Sequence, residues 1–199
     1  MRTFLSLIAV VVALNAQISK NSYIQSFFDN GGEINQNIKN LLDNDEFFKQ
    51  ANDYLTNQDD MSKKEIDVSD PEVKGDKKMR TKYFPNWHKA MPLFIKSVEV
   101  YDNPISAYQA LYIYNTVYGR NKNVKAFGNM SEVLYKKEKK MCESYLYYGE
   151  TLTKGYGRKS NFEEALKIYK EAQDVEKCTT GWIKNVIASK ILYLENKLK

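Results

Sequence analysis

The chain has 199 residues, 43% hydrophobic and 13% aromatic, which is enough to pack a core and too much for a wholly disordered polypeptide. Lys+Arg 30 against Asp+Glu 25 gives a formal charge of +5, too mild and mixed to point to nucleic acid, while 9 Gly and 4 Pro exclude collagen-like or Gly-Pro-rich character. A single His, His88, and 2 Cys leave too few soft ligands for a closed zinc site, and no metal or cofactor is expected.

The chain opens with the layout of an export signal. Arg2 supplies a positive n-region, Leu5 to Leu14 is an uncharged apolar run, and Leu14-Asn15-Ala16 puts a small residue before a cut at Gln17. The run is about half of the roughly 20 residues that a spanning helix needs. Residues 1–16 are therefore expected to be removed, leaving no integral membrane span and, without Arg2, a charge of +4. An exported chain meets an oxidising compartment, the periplasm or the exterior. There Cys142 and Cys178 are expected to form one disulfide, where a cytosolic setting would leave two buried thiols.

Residues 17–33 carry few apolar positions, include the Gly31-Gly32 pair and read as a mobile leader. Ile34, Ile38, Leu41, Leu42, Phe47, Phe48, Ala51 and Leu55 recur at near-helical spacing and predict a first helix from about Ile34 to Leu55, although its many Asn residues lower helix propensity. Leader and helix together make a segment 17–56. Residues 57–83 then form a charged linker, interrupted by Pro71 and Gly75, that buries too little apolar surface to offset its chain entropy. Asp67, Asp70 and Glu72 within it miss the alternating ligand pattern of a calcium loop.

Residues 84–199 are aromatic-rich, helical in period and repetitive. Asn86-Trp87-His88-Lys89-Ala90, Lys122-Asn123-Val124-Lys125-Ala126 and Asn161-Phe162-Glu163-Glu164-Ala165 share a skeleton, with their alanines 36 and 39 residues apart. Between them lie the runs AYQALYIYNTVYG and ESYLYYGETLTKG, whose closing Gly119 and Gly155 are again 36 apart. Two helices per unit at such a period mark a helical solenoid. The expected fold is all-α: a short right-handed α/α superhelix of helical hairpins with an N-terminal helix and a polar linker. In the last unit Asn161 is expected to cap a helix, with Glu163 and Glu164 near its positive end. Ala165, Ile168, Tyr169 and Ala172 then share a face, with the alanines allowing close approach and Tyr169 filling the space between repeats. Gly155 and Gly157 flank a turn that calls for positive φ. Gly155-Tyr156-Gly157 follows no strand, so it is not a phosphate loop. A last helix from about Thr180 to Leu198 is expected to turn Trp182, Ile183, Val186, Ile187, Ile191 and Leu194 inward.

Gly149-Glu150-Thr151-Leu152-Thr153-Lys154-Gly155-Tyr156-Gly157, then Asn161 and Ala165-Leu166-Lys167-Ile168-Tyr169-Lys170-Glu171-Ala172, resembles a Sel-one-like repeat, a relative of the tetratricopeptide repeat. The family pattern has a Gly in the first helix, a Gly-x-Gly turn, an acidic or amide cap, and a Lys-Ala…Trp-Tyr…Lys-Ala second helix. Here Glu164 stands for the usual Lys, Ile168 for the Trp, and Arg158 for the Val after the turn. One good unit, about 142 to 175, and two degenerate ones, about 86 to 138, cover roughly half of the chain. Pro92 falls early in a second helix, a position that tetratricopeptide helices sometimes tolerate with a bend. The layout puts Cys142 near the start of a first helix and Cys178 past the end of the second, where an antiparallel pair closes, as in exported cysteine-containing Sel-one-like proteins.

No Ser in a nucleophile elbow and no His-Glu-x-x-His helix occurs, and the neighbours Glu163 and Glu164 diverge on a helix, so no catalytic residue is assigned. Lys136, Lys137, Lys139 and Lys140 flank Glu138 in a basic run that reads as a solvated helix end, with contact to an acidic surface as the alternative. The 15 tyrosines are the compositional outlier. Tyr108 and Tyr112 share one stripe of a helix, Tyr114 and Tyr118 another, and Tyr145, Tyr147 and Tyr148 follow on the next; one stripe is expected in the core and one in a groove. Tyr108, Tyr112, Tyr147, Glu150 and Lys154 are the candidate partner-binding residues.

The expected function is that of an exported, non-enzymatic scaffold holding a cell-envelope protein or peptide in a repeat groove. The composition fits a bacterial periplasmic protein. The alternative is a protein recognising cell-wall glycan or β-lactam, with or without weak hydrolase activity, although no Ser-x-x-Lys motif is present. A purely structural envelope protein is the third reading.

Overall fold

A computed structural model of the chain describes residues 22–33, 35–56, 87–115 and 123–199. The export signal, the charged linker, Asn86, Tyr118 and Gly119 lie outside the described residues. Among those described there are nine α-helices, one 3-10 turn and no strand. The helices are α1 Ser22–Asp29, α2 Gln36–Asn44, α3 Glu46–Thr56, α4 Trp87–Tyr101, α5 Pro104–Ile113, α6 Val124–Lys137, α7 Cys142–Lys154, α8 Phe162–Ala172 and α9 Gly181–Lys197. From α3 to α9 each helix packs on its successor in the chain, and α1 lies on α5.

Asparagine starts four of these helices. Asn35, Asn103, Asn123 and Asn161 each stand in front of a helix and accept a hydrogen bond from a first-turn amide, which supplies an acceptor for a donor that the helix itself leaves unpaired. Asn161 accepts from the Glu164 amide at 3.0 Å while its own amide group donates to Glu164 Oε2 at 3.1 Å, a reciprocal cap. The skeleton alanines that follow, Ala90, Ala126 and Ala165, are all buried.

The predicted helix from Ile34 to Leu55 is two helices, α2 and α3, broken at Asp45. The break is the work of a buried carboxyl. Asp45 Oδ1 accepts from the Phe48 amide at 2.9 Å and so caps α3. Its Oδ2 accepts from Ser97 Oγ at 2.5 Å and from Asn103 Nδ2 at 2.8 Å. The Ser97 hydroxyl, already donating to Asp45, is reached at 2.6 Å by Ser106 Oγ. Apolar spacing carries straight through position 45, which is why periodicity alone runs the two helices together.

The leader is also structured. In α1 Ile24 and Phe27 are buried, and the Phe27 ring meets Tyr108 edge-on at 5.8 Å. Few apolar residues suffice because both face a core built by the rest of the chain. Likewise α3 docks along α4, so the N-terminal helices belong to the same packed body as the repeats. The final helix turns the expected face inward except at its start: Ile187 and Leu194 are buried and Ile183, Val186 and Ile191 half-buried, but Trp182 is 69% exposed. Helix α9 packs on α8 with one face, and no further described helix follows to cover the other.

Within the last hairpin, Gly149 lies against Tyr169, and a Cβ there would stand 2.6 Å from the ring. Ala165, Ile168, Tyr169 and Ala172 form the buried face of α8. Gly155 and Gly157 take φ of 72° and 69°, the left-handed region that lets the chain leave α7 and turn into α8. Pro92 sits exposed inside α4, which runs on through it.

Cys142, in the first turn of α7, and Cys178, in the turn after α8, form a disulfide with Cα atoms 5.3 Å apart. It closes a loop of 36 residues around the α7–α8 hairpin. A bridge of this span stabilises by roughly 2–4 kcal/mol. Replacing Cys142 by Ser should lower the melting temperature by several degrees in oxidising buffer and leave it equal to that of the wild type in reductant; equal destabilisation in both buffers would contradict the assignment.

Asp45→Ala removes a helix cap and leaves Ser97 and Asn103 without their acceptor in the interior, a loss of about 2–4 kcal/mol. Asp43→Ala, at an exposed position two residues earlier, should be close to neutral. Urea denaturation of the two variants beside the wild type measures the difference.

Candidate functional site

A groove of about 530 Å³ opens between α1, α5, α7 and α9, within the range of roughly 300–1,000 Å³ typical of ligand sites. Three helices each give it one stripe. From α5 and its end come Tyr108, Tyr112 and Asn115; from α7 Glu143, Leu146, Tyr147 and Glu150; from α9 Trp182, Ile183, Val186 and Lys190. These spacings of three, four and seven or eight residues are those of one helical face. The intervening helix α8 contributes Tyr169.

Helix α5 can hold this position because it is almost wholly inside: every residue from Pro104 to Leu111 is buried. Tyr112 emerges, 37% exposed, on the groove side. One turn earlier Tyr108 is covered by α1. Its hydroxyl receives a hydrogen bond from Asn30 Nδ2 at 2.8 Å and shares another with Ser26 Oγ at 3.0 Å. Burial pushes its phenol up, the Ser26 hydrogen bond acts the other way, and the nearby Glu143 acts with burial. On α7, burial also raises the carboxyl of Glu143, against the pull of its own backbone amide and of the Lys177 charge.

Of the residues predicted to meet a partner, Tyr108, Tyr112, Tyr147 and Glu150 line this one groove, with Tyr108 largely hidden beneath α1. Lys154 is exposed in the last turn of α7 and does not line it. Tyr114 turns into the core, edge-on to Phe127 at 6.2 Å. Tyr145 and Tyr148 are buried on the other side of α7, where Tyr148 stacks on Tyr135 at 4.8 Å. The sequence reading missed Glu143, Lys190 and the leader residues Ser26 and Asn30, and it turned Trp182 inward. The α7 stripe was visible as spacing; the leader's part was not, because its partner Tyr108 lies 82 residues beyond Ser26.

The basic run does not form one surface. Lys136 pairs with Glu132 at 2.6 Å, Lys140 with Glu33 at 2.5 Å, and Lys139 stands 3.1 Å over the Tyr135 ring. His88 is exposed on α4. Among the described residues no group of three or more His, Cys, Asp or Glu could hold a metal, and no helix is long and apolar enough to cross a membrane. No family profile, no curated protein and no solved structure matches this chain.

The leader that walls the groove is tied down at Glu138, just past α6. This carboxyl is 2% exposed, and its Oε2 accepts from the Glu33 amide at 3.1 Å, while the Glu33 side chain pairs with Lys140. Asp102 and Lys137 line a second cavity beside it, of about 450 Å³. Burial pushes Glu138 up to about 7 from an ordinary 4.5; the Glu33 amide opposes the shift and the Glu33 charge adds to it. Between those two values the folded chain binds more protons than the unfolded one, so the Glu138 contribution to stability falls as pH rises through the window. The loss is on the order of 3 kcal/mol and is complete above about pH 7. Glu138→Gln should therefore gain stability over the wild type at pH 8 and little at pH 5. Thermal denaturation at both pH values tests this, and an unaltered pH dependence would contradict it.

Proposed function

We propose that this chain is an exported, non-enzymatic interaction scaffold of the Sel-one-like kind. In this reading α4 to α9 make up a short right-handed α/α superhelix, and its inner face seats a segment of a cell-envelope polypeptide. The observation that carries the reading is the convergence of alternate helices, α5, α7 and α9, on one groove with their aromatic residues. In a stack of helical hairpins the first helix of every hairpin faces the same side, so a groove lined by alternate helices is what such a stack produces. The close fit of Gly149 on Tyr169, the asparagine caps and the left-handed Gly155 and Gly157 support the repeat resemblance. The export layout at the N-terminus and the disulfide at Cys142 and Cys178 together support an oxidising compartment.

Recognition of cell-wall glycan is the second reading. It draws on the same groove, where the exposed Trp182 indole presents an aromatic face and an N–H donor.

The test places a photo-reactive phenylalanine at position 147 and, as a control, at position 154, and irradiates the mature protein in its native envelope fraction. One recurrent polypeptide should be captured from 147 and not from 154, and the capture should disappear with Tyr112→Ala. Equal capture from both positions would refute a groove-bound partner, and capture of glycan alone would transfer the function to the second reading.

A further inference from the structure

We infer that the groove takes a cationic side chain, an arginine or lysine of its polypeptide partner, seated among Tyr112, Tyr147 and Trp182 with Glu143 as its counter-charge. The inference rests on the groove-binding reading above and adds the chemical class of the anchor.

The first support is charge. Among the described residues that line the groove stand two carboxyls, Glu143 and Glu150, against one ammonium, Lys190, in a chain whose formal charge is +5. Glu143 stands in the first turn of α7 and Glu150 about two turns further on, and Lys190 makes no ion pair with Glu143 among the described residues.

Glu143 itself lies in no ion pair among the described residues. The cation whose charge it feels is Lys177, and that ammonium donates to the Asp29 carbonyl of α1. Burial raises the Glu143 carboxyl, which means that its charged form is poorly solvated. An acidic guest would remove still more water from it and add a like charge, and a neutral donor would return a hydrogen bond alone; a guanidinium or ammonium would provide both charge and hydrogen bonds.

The same helix shows what such a site looks like when it is filled. On the other side of α7, Arg158 lies 5.6 Å from the Tyr148 ring and pairs with Glu132 at 2.5 Å. Beside it Lys139 stands over the Tyr135 ring, whose hydroxyl donates to Glu171 at 2.7 Å. That face combines tyrosines, carboxylates and the chain's own cations. The groove face repeats the tyrosine and carboxyl elements through Tyr147, Glu143 and Glu150 and adds an indole that is 69% exposed. Cation–π attraction is strongest at indole, and the planar guanidinium can stack there while it pairs with a carboxylate.

The experiment uses the mature protein and two pools of acetylated pentapeptide amides, one with arginine fixed at the centre and one with citrulline, its neutral near-isostere, in that place. The readout is NMR. The Trp182 indole N–H reports the groove, and the methyl signals of Leu42 and Leu134, buried and outside its lining, report the fold. The arginine pool should shift the Trp182 signal saturably, the citrulline pool at least ten-fold more weakly, and the Leu42 and Leu134 methyl signals should stay in place. Glu143→Gln, with those methyl signals unmoved, should bring the arginine pool down to the citrulline level. Equal binding of the two pools would overturn the cationic anchor and leave the groove reading standing. Binding of neither pool, with capture from position 147 intact, would overturn it too. Loss of that capture as well would remove the groove reading on which it rests.

Discussion

A single buried carboxyl fixes where the helices of this chain stand relative to one another. Asp45 caps α3 and, through Ser97 and Asn103, holds the body of α4 and the turn into α5. Asn103 in turn spends its own carbonyl on the first amides of α5, at 2.9 and 3.2 Å from Ile105 and Ser106. The carboxyl thus defines the start of two helices and the register of a third. A slide of α4 by one residue would strip Ser97 from the network and leave polar groups unpaired in the interior, a penalty that a purely apolar contact would not impose. Because α5 is buried almost from end to end, its placement determines how α1, α4 and α6 pack and where Tyr112 emerges.

The helix caps explain how a chain so rich in asparagine is so helical. Asn is a poor helix former in the interior and among the best residues in front of a first turn. Much of the sequence could be read on that basis. Asn161 with Glu164, the buried faces of α8 and the turn at Gly155 and Gly157 follow from local spacing, and the structure has them where the spacing put them. The features that escaped are those whose reason lies far away in the chain. Asp45 sits between two apolar stretches that share a period, and only its partners, 52 and 58 residues later, turn the position into a break. Phe27 and Ile24 are buried apolar residues in a polar leader, and their helix docks where the Tyr108 ring meets Phe27 and the Tyr108 hydroxyl meets Ser26 and Asn30. Trp182 shares a helical stripe with Ile183 and Val186 and so reads as inward; among the described helices α9 packs mainly on α8, and the start of its face stays open to the groove.

The tyrosines divide by environment on a single helix. Tyr145 and Tyr148 of α7 look toward Tyr135 and are closed off by Lys139 and Arg158, cations supplied by the loops that flank α7. Tyr147 looks the other way, into the groove. An aromatic excess that periodicity could only assign to core or groove in general thus serves both, one residue apart.

The disulfide belongs to this arrangement for a reason beyond chain entropy. Cys142 precedes Glu143 and Cys178 follows Lys177, so the covalent link brings together the groove carboxyl and the lysine that holds the end of α1 through the Asp29 carbonyl. The leader is fastened at three further points: at Tyr108 by Ser26 and Asn30, at Glu138 by the Glu33 amide, and at Lys140 by the Glu33 carboxylate. Each of these lies on or beside a helix that lines the groove or borders it. A wall held only by hydrogen bonds and an ion pair is easier to displace than one built of packed core. Phe27, fully buried under the groove's edge, is what keeps this wall from being merely polar. The shape of the groove therefore depends on an apolar anchor from the leader on α5 and on a covalent clasp that closes the last hairpin beside Lys177, the residue that holds the end of α1.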